Sequence, residues 1–178
     1  MKILAIVGSN AENSYNRKLL LVIKKRFTKH DIELAEIKGL PLYKEGQDTP
    51  QVVSDLAEKI ETADLVLIGS PEQQHSVTSA LKSALEWLSS NLHPFKGKPV
   101  FIVGTSPLAQ GSGRSQTRLK NILAAPGFSC PVFNGDEFML GLASQAFDED
   151  GSIKDERTLE FLDHFFGEVE EWYEQITK

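Results

Sequence analysis

Ile3-Leu4-Ala5-Ile6-Val7-Gly8-Ser9-Asn10-Ala11-Glu12-Asn13-Ser14-Tyr15-Asn16 is the stretch from which the fold of this chain can be read. Five apolar residues in a row suit a strand buried on both faces, as in a parallel sheet. A polar turn follows, and from about Asn16 to Lys29 apolar residues recur at helical spacing, with Leu19, Leu20, Ile23 and Phe27 on one face. Strand, polar turn and helix start make a ready anion site, because a helix N-terminus carries unpaired N–H donors and partial positive charge. Ser9, Ser14 and Asn16 add neutral donors. The loop holds no lysine, and Gly8 is its only glycine. It is therefore neither a G-x-x-x-x-G-K-S/T loop nor a G-x-G-x-x-G fingerprint. Hydroxyls and amides without a cation suit the phosphate of flavin mononucleotide (FMN). A plain turn with a helix cap is the competing reading.

Outward from this stretch, strands and helices alternate. Ile32–Ile37 alternates apolar and polar like an edge strand, and Thr49-Pro50 reads as an N-cap and first helical residue before an apolar face of Val52, Val53, Leu56 and Ile60. Leu65–Ile68 reads as a central strand, Thr78–Asn91 as a helix and Val100–Val103 as a strand. A helix is expected around 115–124, a short fifth strand at Phe128–Phe133 near an edge because of Pro131, and a last helix at about 155–176. The last helix carries Leu159, Leu162, Phe165, Phe166, Val169, Trp172 and Ile176, a stripe read as core or subunit contact. This pattern predicts an α/β fold: a five-stranded parallel sheet in order 2-1-3-4-5 between two helical layers, a flavodoxin-like three-layer sandwich. Residues 1–178 are read as one domain.

Composition narrows the function classes. The chain has 178 residues, a net charge of −6 and one cysteine, Cys130, so neither an intrachain disulfide nor a thiolate cluster is available. Residues 148–178 hold eleven acidic and three basic residues, which leaves the rest slightly basic. No basic stripe with interleaved aromatics points to nucleic acid. Apolar runs are strand-sized, so no membrane insertion is expected, and the start lacks a signal-peptide cleavage site, which reads as cytoplasmic. His30, His75, His93 and His164 show no metal-ligand spacing, and Asp148-Glu149-Asp150 fails the EF-hand pattern and reads as a turn with helix capping.

The polar loops follow strands one, three and four, whose carboxyl ends are neighbours in the expected order. They are Gly8–Asn16, Ser70–Ser76 and Gly104–Arg114. Gly8, Ser9, Ser14 and Asn16 match the G-S-x-R-x-x-S-x-N loop of the NADPH-dependent FMN reductase family. Pro71-Glu72-Gln73-Gln74-His75-Ser76, followed by Leu81-Lys82-Ser83-Ala84-Leu85-Glu86-Trp87, resembles that family's P-E-Y-N-x-S segment and L-K-N-A-I/L-D/E-W helix. Gly111, Gly113 and Arg114, and the segment Phe147–Gly151, fit as well, so the resemblance covers nearly the whole chain. Two departures stand out: Ala11 replaces the loop arginine, and Gln73-Gln74 replace an aromatic–amide pair.

The resemblance implies an FMN-dependent oxidoreductase that takes hydride from NADPH or NADH. Its acceptor would be a small molecule: a flavin, quinone, azo compound or similar. It also implies a homodimer or tetramer, with no metal. Ser9, Ser14, Tyr15 and Asn16 would bind the phosphate. Pro71, Glu72, Gln73, Gln74, His75 and Ser76 would follow the flavin edge, and Thr105, Ser106, Gly111, Ser112 and Gly113 would border the ring. A flavin carries its own redox chemistry, which accounts for the absence of a nucleophile or triad. His75 is a candidate proton donor, with an ordinary loop histidine as the alternative. Arg114 is a candidate contact for a nucleotide phosphate or a partner subunit, and Glu72 reads as an acceptor for loop amides. Two rivals stay open: an FMN electron-transfer module serving a partner reductase, and a non-redox binding protein on the same scaffold.

Overall fold

Strand β1 (Lys2–Val7) lies inside the sheet with β2 (Asp31–Glu36) on one side and β3 (Leu65–Gly69) on the other. The computed structural model describes residues 1–178. Beyond β3 come β4 (Val100–Thr105) and β5 (Phe138–Leu140), giving the order β2-β1-β3-β4-β5 with every neighbouring pair parallel. Alternate residues of each strand face opposite ways and feed two separate cores. Leu4, Ile6, Val66, Ile68, Val100 and Ile102 face helices α2 (Gln51–Thr62), α3 (Ser79–Trp87) and α4 (Gly113–Leu123). Ile3, Ala5, Val7, Leu65, Leu67, Phe101 and Val103 face α1 (Tyr15–Arg26) and the long C-terminal helix. This is the flavodoxin-like three-layer sandwich that the alternation of elements predicts. No helix is long and apolar enough to cross a membrane.

Several boundaries differ from the sequence expectation, each for a local reason. The fifth strand is Phe138–Leu140, not 128–133. In 128–133, Pro131 has no N–H to give a ladder and Ser129 has positive φ, so Val132 makes only a single bridge to Val100. The Phe138–Leu140 segment pairs continuously with Val103–Thr105. Pro50 rather than Thr49 is the N-cap of α2, and no side chain caps that end. α1 ends at Arg26, short of Lys29. Helix α3 stops at Trp87 and widens into a π-helical turn, Leu88–Leu92, closed by His93 with φ 52°. A one-turn helix α5 (Ala143–Ala146) precedes α6 (Glu156–Ile176).

The aromatic stripe of α6 is core. Leu162, Phe165, Phe166 and Val169 are fully buried, and Phe165 sits among Phe101, Phe133 and Phe138 with ring centroids 5.7–6.2 Å apart. The acidic run before it is a capped turn: Asp150 accepts from Ser152, and Asp155 accepts from the Thr158 N–H at 2.8 Å. Cys130 is partly buried and its thiol donates toward the Leu123 carbonyl. Burial pushes that thiol up to about 11.

Replacing Phe165 by Ala removes the centre of the aromatic layer with little room to collapse. The expected cost is about 3–5 kcal/mol in urea unfolding. A loss under about 1 kcal/mol, the size of an ordinary substitution, would show that α6 is held by something else.

Candidate functional site

The three polar loops converge because hydrogen bonds stitch them together below their crests. Gly8 N–H donates to the Gly69 carbonyl at 2.9 Å, joining the ends of β1 and β3. A side chain at residue 8 would lie 2.6 Å from that carbonyl, which is why glycine is needed there. Thr78 caps α3 through the Leu81 N–H and donates to the Gly8 carbonyl at 2.8 Å. Asn16, at the second position of α1, crosses to the end of β4. Its amide donates to the Thr105 carbonyl at 3.0 Å and accepts the Thr105 N–H at 3.1 Å.

Loop one presents donors. The Ser9 hydroxyl oxygen accepts from Ala11 N–H and the Ser14 hydroxyl oxygen from Arg17 N–H, while neither hydroxyl donates to a protein acceptor. The N–H groups of Tyr15 and Asn16 are the first two of α1 and make no hydrogen bond within the chain. Ser9 and Ser14 are buried, while Asn10–Asn13 are exposed. The Tyr15 ring lies parallel to Phe147 at 6.3 Å. Arg17 approaches this loop from the helix side, donating to the carbonyls of Ala11 and Glu12 at 3.1 and 2.8 Å. Its other nitrogens pair with Glu36 at 2.6 and 2.8 Å, and that carboxylate holds the guanidinium above its ordinary value. The Lys38 ammonium binds Glu12 and pulls its carboxyl below the usual range.

Loop two is a tight turn. Gln73 and Ser76 exchange both backbone hydrogen bonds, at 3.0 and 2.9 Å, and the central Gln74 and His75 have φ of 49° and 59°. Two positive-φ residues are the pattern of a type I′ turn, normally made by Asn-Gly. With side chains present, each left-handed residue costs on the order of 1–2 kcal/mol. His75 is exposed at the crest and its ring makes no hydrogen bond within the chain. Glu72 has a side chain only 7% exposed, and its carboxylate accepts the N–H groups of Arg114 and Ser115 and pairs with the Arg114 guanidinium at 3.3 Å. It therefore caps α4 from another loop, where an anion suits the helix dipole. Ser115 adds a bond to the Pro71 carbonyl and one to Ser70.

Loop three is mostly framework. Thr105 directs its hydroxyl to the Leu140 carbonyl, and Ser106 caps its own turn through the Leu108 N–H. Ser112 is fully buried over Gly104, where a Cβ would stand 1.7 Å from the serine oxygen. Gly111, with φ 62°, and Gly113 lie against Met139. The side chains of Asn16, Thr105 and Ser112 are buried and directed at the framework, so at these positions it is the backbone and neighbouring groups that are left to face outward. Arg17 and Glu36 were not singled out from sequence. The signal was present, since Glu36 ends β2, adjacent to β1 in the predicted order. Away from the loops, donor atoms of Asp136, His164 and Glu168 lie within 4.8 Å of one another, an exposed ion-pair cluster that linear spacing does not reveal.

These loops find a counterpart in known proteins. The family model described as NADPH-dependent FMN reductase matches residues 1–145. A Vibrio ruber protein named NADH:(hydroxy)cinnamate reductase subunit CrdA is 42% identical over 181 residues, covering 100% of this chain and 90% of its own length. A Lactobacillus johnsonii protein named NADH-dependent flavin reductase subunit 2 is 39% identical, with both chains covered completely. Among solved structures, FerB of Paracoccus denitrificans, described as a flavoenzyme NAD(P)H:(acceptor) oxidoreductase, superposes with a TM-score of 0.87 at 32% identity, covering 98% of each chain.

The Asn16–Thr105 tie is testable by itself. Asn16→Ala leaves a buried N–H and a buried carbonyl without partners, each costing about 1–3 kcal/mol. Asn16→Asp keeps the acceptor but sets a carboxylate oxygen against the Thr105 carbonyl, and chemical denaturation is expected to show a loss at least as large.

Proposed function

The chain belongs to the NADPH-dependent FMN reductase family, and from that premise we propose how its loops serve an FMN-dependent NAD(P)H oxidoreductase. The observation that carries the reading is the donor set of loop one: two free helix N–H groups and two buried serine hydroxyls with uncommitted protons, all within one short loop. An oxyanion fits such a set, and a phosphate monoester does so without a dedicated cation. FMN supplies hydride chemistry when bound. The protein's part is placement. Ser9, Ser14 and the N–H groups of Tyr15 and Asn16 hold the phosphate. Residues 71–76 follow the ring edge, with the Gln73–Ser76 turn presenting backbone groups to it. Gly111 and Gly113 close the other side through their backbone, since the space a side chain would take at each is filled by Met139. His75, exposed on the turn crest, is the titratable group placed to exchange a proton with solvent beside the ring.

We assign NADH as the working reductant. Ala11 leaves loop one without the arginine that the family motif carries, and the nearby Arg17 is already neutralised by Glu36. The two relatives above are both named for NADH. Both are also named as subunits, which favours a second reading: reducing equivalents pass from this chain to a partner protein, either as a tightly bound flavin or as a released one. In either case the setting is the cytoplasm and the basic assembly a homodimer.

Titrating apo-protein with FMN and then adding NADH or NADPH without oxygen separates these readings. Binding followed by rapid bleaching, faster with NADH, is the expected result. Binding without bleaching would assign the chain to the partner-dependent carrier. No binding would remove the cofactor assignment. Ser14→Ala removes a donor and the cap of α1 together, and is expected to weaken FMN binding about tenfold or more, as loss of a charge-assisted hydrogen bond does.

A further inference from the structure

Loop one has an unusual problem of shape. A loop that wraps a phosphate with successive N–H groups usually turns on glycines. Here Gly8 is the only glycine, and no residue from 9 to 14 has positive φ. Something outside the loop must orient its peptide planes. Arg17 does so from behind, through the carbonyls of Ala11 and Glu12.

A trans peptide is planar, with its C=O and N–H antiparallel. Drawing the Ala11 carbonyl back to Arg17 therefore turns the Glu12 N–H forward, and drawing the Glu12 carbonyl back turns the Asn13 N–H forward. Neither N–H has a hydrogen-bond partner in the chain. They would join the free N–H groups of Tyr15 and Asn16 as donors. Arg17 itself is kept in place by the two-pronged contact with Glu36 at the end of β2. The Glu12 side chain is held outward by Lys38 and so stays clear of an incoming anion.

We propose that Arg17, braced by Glu36, is the positioning residue that aims the loop-one amides at the FMN phosphate and so makes the chain select FMN over unphosphorylated riboflavin. The inference rests on the phosphate-loop reading above. Its chemistry needs the fork of a guanidinium: one nitrogen serves two carbonyls while the other two serve Glu36. A lysine supplies the same charge but not this geometry.

The test is the ratio of FMN to riboflavin affinity, measured by quenching of flavin fluorescence on folded protein. Wild type is expected to prefer FMN by a large factor; equal affinities would sink the phosphate-loop reading and this inference with it. Given that preference, Arg17→Met is expected to lower FMN affinity about tenfold or more, roughly the size of one charge-assisted contact, with riboflavin affinity within about twofold. Arg17→Lys is expected to fall with Arg17→Met, and Glu36→Gln to fall part of the way. An Arg17→Met protein that keeps the wild-type preference overturns the inference while the phosphate loop stands. Full recovery in Arg17→Lys would also overturn it, by showing that charge alone is needed. If Arg17→Met does not fold, Arg17→Lys and Glu36→Gln decide by the same ratio.

Discussion

Two hydrogen bonds between the Asn16 amide and the backbone of Thr105 hold the working edge of this molecule together. They join the first turn of α1 to the end of β4, two strands away from β1, across a position where the sheet offers no ladder bond. With Gly8 tied to Gly69, and Thr78 to Gly8, the crests of loops one, two and three keep a common reference. Apart from the backbone bond between Gly8 and Gly69, each tie uses a side chain buried at the base of a loop, so the exposed residues above can vary. The division is physical. A buried amide must find partners, whereas an exposed donor can wait for a ligand.

The sheet order was legible because it rests on periodicity and on chain-crossing rules, both strong in β1, β3 and β4, each of which contains an unbroken run of four or more apolar residues. The fifth strand was not. Phe128–Phe133 looks more strand-like than Phe138–Leu140 by composition. Pro131 and the left-handed Ser129 nevertheless deny it a ladder, while three residues suffice at an edge where β4 offers Val103–Thr105. The same limit applies to the site. Which loops meet follows from the order of strands, and that much could be read. Which side chains of those loops face outward depends on ties formed across 42 to 89 positions of sequence, as for Glu72 with Arg114 and Asn16 with Thr105. A serine at 112 and a serine at 14 look alike in the sequence. One fills the space above Gly104 and the other keeps a proton to give.

Loop two shows a different economy. Gln74 and His75 occupy left-handed conformations that glycine or asparagine would adopt at lower cost, and the turn is nonetheless held by two good backbone bonds and by Glu72 docked on α4. A strained turn that persists is one that its surroundings over-determine. Its position, at the rim where the ring edge is expected, makes the strain intelligible. The turn projects peptide groups at a fixed height, and side chains at 74 and 75 are presented outward.

The departure from the family motif at Ala11 connects to this frame. The family motif carries an arginine in the loop where this chain has the exposed Ala11. Here the nearest guanidinium lies behind the loop, and its charge is balanced by Glu36 before any ligand arrives. The cation therefore acts through geometry more than through its field. On the proposed reading a phosphate in loop one would meet neutral hydroxyls and amides at close range, with the Arg17–Glu36 and Lys38–Glu12 pairs forming an electrically balanced rim. Attraction at a distance is then weak, since paired surface charges largely cancel and salt screens the remainder. Recognition of an anion there would depend instead on short contacts that only a correctly shaped anion can make, and so the shape of the loop, rather than its charge, becomes the property to preserve.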